Sequence, residues 1–452
     1  MTTTKNNEHK KLNFSSEREQ SQACLNSAEH EKNQGRKVLN VPNKREQNQT
    51  CLDSAEREGL RPKGNVPNLR FPEFQGEWDK CKFRDVCSIS TGNKNTQDKI
   101  DDGIYPFYVR SQTVERINSW TFDGEAILTA GDGVGVGKVF HHTYGKIGVH
   151  QRVYILSDFK CDANYLFHFF SSKFYNRVKR MSAKNSVDSV RKEMITDMPL
   201  SLPSHQEQVK IGYLLSLLDE RIATQNKIIE DLKKLKSAII EKVFCSPNKK
   251  NPMCRIEGFE QALSTYKMCD FSSRIATKNK DSKCSLVLTI AAQYGLVNQE
   301  SFFNKSVASE NLTGYYLLHK GEFAYNRSYS AGYDWGAVKR LDNYDEGVLS
   351  TLYICFKINE TIVDSDYLAY YFESTKWHRG LSDIAGEGAR NHGLLNVSIT
   401  DYFNTKHRFP VIEEQKAIAK MLNTITEKER KATLLGECYQ KQKQYLLRQM
   451  FI

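Results

Sequence analysis

The stretch of this chain most typical of a phosphate-binding loop is Gly131-Asp132-Gly133-Val134-Gly135-Val136-Gly137-Lys138. A Walker A loop that ends at Gly137-Lys138 requires glycine at position 132 and serine or threonine at position 139, where this chain has Asp132 and Val139. A dinucleotide-binding loop requires a third glycine where Val136 stands. The stretch therefore predicts a tight turn, with backbone amides and Lys138 available to a nucleic-acid phosphate.

No combination of side chains in the sequence indicates catalysis or a cofactor. His141, His142 and His150 have no carboxylate or cysteine at the spacing of a metal site, and the eleven cysteines include no Cys-x-x-Cys pair. No nucleophile and base can be paired from their spacing. We predict that the chain is not an enzyme by itself and that it needs no metal or cofactor.

Cationic and amide side chains occur among aromatic residues in two parts of the chain, a combination suited to phosphates and base edges. Each one alone is most simply a solvated surface group, so the prediction depends on the clusters. The DNA-binding candidates in the first part are Arg110, Gln112, Lys138, His141, His142, Gln151 and Arg152. Those in the second part are Arg327, Tyr329, Trp335, Lys339, Arg340 and Asn391.

Composition agrees with a partner of negative charge. Across 452 residues, 65 Lys and Arg outnumber 54 Asp and Glu, which gives a net charge of +11. No apolar run approaches the roughly 18 residues that span a membrane, and the N-terminus lacks the apolar region of a signal peptide. We expect a cytoplasmic protein with free thiols and no membrane partner.

Two segments of the chain repeat each other at an offset of 207 residues. Pro203-Ser204-His205-Gln206-Glu207-Gln208 aligns with Pro410-Val411-Ile412-Glu413-Glu414-Gln415, and the alignment continues without a gap until Phe244 meets Phe451. Each copy has the pattern of one long amphipathic helix after a proline. The apolar series of the first copy is Leu214, Leu218, Ile222, Ile229, Leu232, Leu235, Ile239 and Val243.

These helices are either two separate core helices or one antiparallel coiled coil. We favour the coiled coil because the pattern continues for longer than an ordinary globular helix. The residues expected to pair the helices are Leu218, Ile222, Ile229, Leu232 and Ile239 in the first, and Ile425, Tyr439 and Leu446 in the second.

The segments before the two helices read as α+β domains with a curled mixed sheet. In the first, strand-like runs at 105–109, 126–129 and 152–156 precede a helix at 163–181. Their order recurs loosely in the second, so the chain is a pseudo-two-fold repeat. The predicted layout is a low-complexity polar tail at 1–68, a domain at 69–202, a helix at 203–246, a linker at 247–256, a domain at 257–409 and a helix at 410–452. We expect the tail to be disordered or loosely helical.

This layout resembles the specificity (S) subunit of type I restriction-modification systems over residues 69–452. The motifs that carry the resemblance are Leu69-Arg70-Phe71-Pro72-Glu73-Phe74 with Glu77-Trp78, Pro203-Ser204-His205-Gln206-Glu207-Gln208, the glycine-rich stretch and Ile195-Thr196-Asp197. The resemblance implies two target-recognition domains, each reading half of a split site in double-stranded DNA. It also implies that two spacer helices dock two methyltransferase subunits, through which restriction/translocase subunits join. The alternative is a non-catalytic coiled-coil scaffold whose domains bind proteins or peptides.

Overall fold

The computed structural model describes residues 64–182, 189–305, 311–328, 332–385, 390–391 and 394–452. The chain divides into two units, Met1–Asn68 and Leu69–Ile452. Nearly all of the first unit, and with it the predicted state of the polar tail, lies outside the described residues. The second unit contains both α+β domains and both long helices.

The described residues of the first domain form eight strands and three α-helices. The strands are β1 (Asp79–Lys82), β2 (Ser88–Thr91), β3 (Tyr105–Tyr108), β4 (Val114–Ile117), β5 (Phe122–Ala130), β6 (Phe140–Val149), β7 (Val153–Ser157) and β8 (Pro199–Leu202). The helices are α1 (Phe83–Val86), α2 (Ala163–Met181) and α3 (Lys192–Thr196). The predicted strands at 105–109, 126–129 and 152–156 are therefore confirmed to within a residue or lie inside a longer strand. The predicted helix at 163–181 has the observed bounds of α2.

Six of these strands form one sheet in the order β2-β7-β5-β6-β3-β4, in which β3 and β6 are parallel and the other neighbours antiparallel. The sheet curls on itself, because the chain after β2 hydrogen-bonds to the end of β6 through Asn93 N and Val149 O at 3.2 Å. The inside of the curl is apolar and includes Leu128 and Ile155. The prediction of a curled mixed sheet is confirmed.

The second domain has shorter strands and more of them. They are β9 (Ser264–Lys267), β10 (Ser272–Arg274), β11 (Leu288–Ala291), β12 (Gly295–Asn298), β13 (Tyr316–His319), β14 (Phe323–Asn326), β15 (Ala337–Arg340), β16 (Glu346–Leu349), β17 (Ile354–Ile358), β18 (Arg390–Asn391), β19 (Leu394–Leu395) and β20 (Lys406–Phe409). Its helices are α5 (Met268–Phe271), α6 (Gln299–Phe303), α7 (Ser365–Tyr371), α8 (His378–Ser382) and α9 (Ile399–Asn404).

The centre of the second domain repeats that of the first. Its four-stranded sheet has the order β10-β17-β14-β15, which matches β2-β7-β5-β6 strand for strand. In both domains the first strand pairs with the last one outside the sheet, β1 with β8 and β9 with β20. The domains differ at the edge, where the first adds β3 and β4 while the second has the hairpin β11-β12 and the separate strand pair β13-β16. The two domains thus share the strand order of their central sheets, although the sequences of these sheets are hardly alike.

Each domain is followed by one long helix, α4 (His205–Val243) after the first and α10 (Ile412–Gln449) after the second. The Ser204 hydroxyl caps α4 by accepting a hydrogen bond from Glu207 N, which satisfies a free amide of the first turn. The helices contact each other along their length and run antiparallel: Asp219 pairs with Lys443, and further along α4 Lys236 pairs with Glu429 at 3.1 Å. The antiparallel pairing is as predicted.

Polar groups lie in the seam between the helices beside the predicted apolar residues. Gln225 is buried and its Nε2 donates to the carbonyl of Ala432 at 3.0 Å. By contrast, Leu235, which belongs to the apolar series of α4, is 49% exposed. Of the residues expected to pair the helices, Leu218 and Ile425 are buried, and those half-buried are Ile222, Ile229, Leu232, Ile239, Tyr439 and Leu446.

The ends of both helices are set into the domains by the same contacts. The carboxylate of Glu207, at the start of α4, is buried and receives two hydrogen bonds from Arg70, at 2.8 and 2.7 Å. Glu414, at the start of α10, receives two from Arg255, at 2.9 and 2.6 Å. Because a buried carboxylate is costly unless it is paired, each arginine fixes its helix to the segment that enters the domain.

The far end of each helix enters the other domain. Phe244, after α4, packs edge-on against Tyr367 of the second domain at 5.0 Å between ring centroids. Phe451, after α10, packs edge-on against Tyr165 of the first domain at 5.3 Å. Each domain therefore rests on the beginning of one helix and the end of the other, which fixes its position at one end of the pair.

Candidate nucleic-acid interface

The glycine-rich stretch forms the turn of the β5-β6 hairpin. Gly133 has a φ of +73°, which favours glycine, and residues Gly133–Gly135 make a single 3-10 turn. Gly131 N donates to Arg152 O at 2.7 Å, and Val190 N donates to Gly131 O at 2.7 Å. The turn is thus fixed on two sides by other loops, in agreement with the tight turn predicted from the sequence.

An aspartate in this turn gathers two of the predicted arginines. Asp132 Oδ1 accepts from Arg110 at 2.9 Å, and its other oxygen lies 3.8 Å from Arg152 Nε. Arg110 follows β3 and Arg152 precedes β7, and these meet here because the sheet curls. Their side chains remain 46% and 65% exposed. The three groups carry a net charge of +1 with guanidinium surface still open to a phosphate or a guanine edge.

The residues next to Arg152 extend this cluster. Gln151 is exposed and its amide donates to Asn95 Oδ1 at 2.6 Å. His150 is buried, and its Nδ1 accepts from Arg152 N at 3.0 Å. Burial lowers the pKa of His150, and the positive charge of Arg110 lowers it further. A neutral His150 therefore supports the loop without adding charge to it.

The other candidates of the first domain lie on two sides of β6. The ring of His141 packs at a tilt of 60° against that of Tyr108, and its Nε2 lies 3.3 Å from Ser111 O, beside the exposed Gln112. Burial lowers the pKa of His141. His142, on the opposite face, lies 3.0 Å from Glu125 and stacks on Phe167 of α2.

Lys138 is exposed and lies over the ring of Tyr175, also on α2. Thus Arg110, Gln112, His141, Gln151 and Arg152 belong to one end of the sheet, whereas Lys138 and His142 face α2.

The corresponding hairpin of the second domain, β14-β15, uses its basic residue differently. The guanidinium of Arg327 donates to Val397 O at 3.2 Å and to Leu352 O at 3.3 Å, so it connects three loops of its own domain. Trp335 is half-buried against the core, and its carbonyl accepts from the hydroxyl of Tyr325 at 3.0 Å. Tyr329 lies outside the described residues, and Asn391 lies in β18 with its side chain outside them.

Lys339 and Arg340 on β15 are occupied by carboxylates. Arg340 is held between Asp342 at 2.6 Å and Asp366 at 2.7 Å. Lys339 lies 3.9 Å from Glu373, and burial lowers its pKa. Within the described residues, these two cations are therefore directed at their own domain rather than at an open surface.

Sequence reasoning overlooked Asp132 and Asn95, which hold the candidate side chains in place. In the sequence, Asp132 counted only as a mismatch to a nucleotide-binding pattern. A carboxylate in a glycine-rich turn can, however, also orient arginine side chains. No group of three His, Cys, Asp or Glu residues suited to a metal ion occurs among the described residues. No helix in the described ranges is both long and apolar enough to cross a bilayer.

Comparison with known proteins identifies related sequences. Residues 75–234 match the family model of the type I restriction modification DNA specificity domain. The chain is 27% identical over 168 residues to the type I restriction enzyme EcoDI specificity subunit of Escherichia coli, a match covering 36% of this chain and 37% of that subunit. It is 25% identical over 392 residues to the type I restriction enzyme MjaVIII specificity subunit of Methanocaldococcus jannaschii, covering 79% of this chain and 87% of the relative.

The fold has a counterpart among solved structures. The crystal structure of a type I restriction-modification system S subunit from M. genitalium matches with a TM-score of 0.57 and 15% identity, over 86% of this chain and 99% of that one. At this identity the match shows the fold alone. Together the comparisons confirm the resemblance to type I specificity subunits that the sequence motifs indicated. Such subunits are non-catalytic components, in agreement with the prediction that the chain is not an enzyme.

Proposed function

We propose that this chain, a relative of type I specificity subunits, is the DNA-recognition subunit of a type I restriction-modification complex. Each domain reads one half of a bipartite site in double-stranded DNA. The observation that carries the proposal is that two domains with the same central strand order are fixed at opposite ends of one antiparallel helix pair. Such an arrangement presents two similar surfaces at a set distance, as a split site requires.

The separation of the two surfaces follows from helix geometry. The 39 residues of α4 span about 58 Å at 1.5 Å per residue. Because Phe244 and Phe451 are buried in the cores of opposite domains, the distance between the domains is set by helix length rather than by a flexible linker. The unread spacer of the DNA site is accordingly a property of the helices, and the two sequences read are properties of the domains.

The cluster of Arg110, Asp132 and Arg152 supports contact with DNA by the first domain. Two exposed guanidiniums on a fixed turn can each pair with a phosphate or with the O6 and N7 of guanine. The turn is rigid before binding, so less conformational entropy is lost when the DNA is bound. The second domain contributes through the loop of the hairpin β14-β15, in which Arg327 supports the loop from within by donating to Val397 O and Leu352 O.

The helix pair supports docking of methyltransferase subunits, two per chain, and of restriction/translocase subunits through them. On α4, Val209, Tyr213 and Leu217 are spaced four residues apart and each is at least 38% exposed. They form an apolar stripe on the side of the helix away from the seam. Exposed apolar stripes of this kind are suited to a protein partner. The chain supplies recognition and its partners supply the chemistry.

The main test exchanges one domain. Residues 69–202 are replaced by the first domain of a related subunit, and the methylated sites are mapped by sequencing the DNA of cells that carry the chain with its methyltransferase. One half of the recognised site should change while the other half and the spacer length stay the same. A change in both halves, or in neither, would contradict the proposal. Loss of DNA binding with intact protein complexes would favour the protein scaffold instead.

Docking is tested on the apolar stripe. Tyr213→Asp should weaken capture of the methyltransferase subunit by the purified chain, because a charge then replaces an aromatic contact. Asn226→Asp is the matched control, since it adds the same single negative charge at an exposed position about 220° around the same helix. Equal loss of capture in both variants would show that net charge, and not the stripe, controls binding.

A further inference from the structure

The tip of the glycine-rich turn carries an apolar side chain that no contact among the described residues of the domain explains. Val134 is 96% exposed, the highest value among the large apolar residues that the structure describes. An isolated exposed valine is common on protein surfaces. This one differs because the backbone beneath it is fixed and because guanidiniums lie at the base of its turn.

Close packing of glycines holds the turn in place. A Cβ on Gly135 would lie 2.3 Å from Arg110 O, and a Cβ on Gly131 would lie 2.9 Å from Arg152 O. The turn can therefore approach these two loops only because both positions lack side chains. Val139 N donates to Gly135 O at 2.9 Å, which closes the turn behind Val134. The valine side chain is thus presented outward on a rigid support.

The surroundings of Val134 suit one kind of ligand. Asp132 lies two positions before Val134 in the chain and holds Arg110 and Arg152 by its two carboxylate oxygens. An apolar tip on a turn that holds two cations fits a DNA groove, where phosphates line the edges and the only apolar group on a base edge is the 5-methyl of thymine. A single valine matches that methyl group in size.

We propose that Val134 is a specificity-determining residue that contacts the 5-methyl group of a thymine in the half-site read by the first domain. The inference deepens the proposed function and rests on it. The two arginines position the turn at the groove, and Val134 distinguishes thymine from the bases that lack the methyl group. Burial of one methyl group is worth about a fourfold change in affinity, from roughly 0.8 kcal/mol per buried carbon.

The test uses the full chain assembled with its methyltransferase subunits and a duplex that contains the mapped site. Each thymine of the first half-site is replaced in turn by deoxyuridine, which removes only the methyl group, and the Kd is measured for each duplex. One replacement should weaken binding by the unaltered complex about fourfold. The same replacement should have no effect on the Val134→Ala complex, whose affinity for the normal duplex is already lowered by a similar factor.

Two controls separate this role of Val134 from others. Deoxyuridine in the second half-site should affect the unaltered and Val134→Ala complexes equally. Tyr144→Ala removes another exposed apolar side chain of the first domain, 83% exposed, and should leave the deoxyuridine pattern unchanged. Thermal unfolding of both variants should match the parent, because neither side chain is packed.

The inference is overturned if no thymine of the first half-site shows an effect that Val134→Ala removes, or if that half-site contains no thymine on either strand. A Val134→Ala complex that bends DNA less but keeps the deoxyuridine effect would also overturn it, in favour of an apolar wedge between base steps. Failure of the unaltered complex to bind the mapped duplex contradicts the proposed function itself, which is a distinct outcome.

Discussion

The two junctions between domain and helix use nearly the same chemistry, whereas the two hairpin turns at the heads do not. Glu207 and Glu414 are both buried and both held by an arginine from the segment that enters the domain. One residue later, the side chains of Gln208 and Gln415 each accept from the backbone amide of an N-cap residue in the adjoining domain, Asp162 before α2 and Asp364 before α7, at 2.9 Å in both cases. The junctions therefore repeat atom for atom where the sequence repeats.

The hairpin turns have diverged in both sequence and contacts. The β5-β6 turn directs Arg110 outward around Asp132, while the β14-β15 loop turns the guanidinium of Arg327 inward to two carbonyls. The contrast distinguishes residues that position the domains from residues that face a ligand. Groups that set the position of the domains are buried and paired, and a change in one of them is costly. Groups that face a ligand are exposed, and they can change without loss of stability.

The largest effects are expected at the junctions. Arg70→Ala and Arg255→Ala should each lower the free energy of unfolding by about 3 kcal/mol or more, because each leaves a buried carboxylate without its partner. The measurement is urea unfolding followed by circular dichroism. Arg430→Ala, which breaks an exposed pair with Glu427, is the control and should change little. A large loss of unfolding free energy in only one of the two variants would show that the repeated arginine–glutamate pair does not stabilise both junctions.

Sequence reasoning predicted the repeated part well and the diverged part poorly. The helices predicted at 203–246 and 410–452 begin and end within three residues of those limits, because proline and apolar periodicity report directly on a helix. The seam was less predictable. Gln225 and Lys236 face the partner helix, yet a rule that assigns polar residues to solvent places them outside.

The interface was predictable only as a cluster. Arg110 and Arg152 are 42 positions apart in sequence and meet at Asp132 because the sheet curls, a long-range event that local patterns do not encode. Arg340 has the same residue type, but tertiary packing places two carboxylates around it. Residue type alone therefore cannot distinguish an open guanidinium from an occupied one.

A second prediction concerns a position where the two junctions differ. Buried His168 contacts Ser216 on α4, whereas Tyr370 occupies the equivalent place and binds Asn423 and Thr426 on α10. Burial lowers the pKa of His168 from 6.5 to about 4, despite the nearby carboxylate of Asp219. The folded state therefore favours neutral histidine, and the stability this provides is present above pH 6.5 and lost as the pH falls toward 4.

The measurement is the free energy of unfolding at pH 7 and pH 5. The parent should lose about 2 kcal/mol more than His168→Gln across this interval, since the unfolded histidine gains a proton and the folded one does not. Tyr370→Phe should retain the full pH response of the parent, because His168 is unaltered. Equal losses in the parent and in His168→Gln would show that this site is already protonated or solvated when folded.

The third prediction addresses the hairpin turns. Arg110→Ala and Arg152→Ala should each weaken DNA binding by the assembled complex about tenfold and reduce the salt dependence of the affinity, because each removes an exposed cation. The unfolding temperature should hardly change. Arg327→Ala should instead leave DNA binding nearly unchanged and lower the unfolding temperature, because two loop carbonyls lose their hydrogen-bond donor. If all three variants behaved alike, the inward and outward roles of these arginines would be wrong.

The smallest expected effect tests the pseudo-two-fold relation at the middle of the helix pair. Gln225 and Ala432 are separated by the same 207 residues that relate the two helices, so they are equivalent positions, and they face each other with a 3.0 Å hydrogen bond. Gln225→Ala puts alanine at both positions, which leaves a gap and removes the hydrogen bond, at a cost of about 1 kcal/mol in the free energy of unfolding. Ala432→Gln puts glutamine at both positions, and the crowding of the seam should cost a similar free energy or more.

Exchanging the two residues should therefore restore what either single change loses. Gln225→Ala and Ala432→Gln, combined in one chain, recreate the same pair with its direction reversed, and the free energy of unfolding should return to within about 0.5 kcal/mol of the parent. Both single variants and the exchange are measured by urea unfolding as one double-mutant cycle. Additive losses in the exchanged chain would mean that the surroundings of the two positions differ, and that the helices are symmetric in sequence register but not in packing.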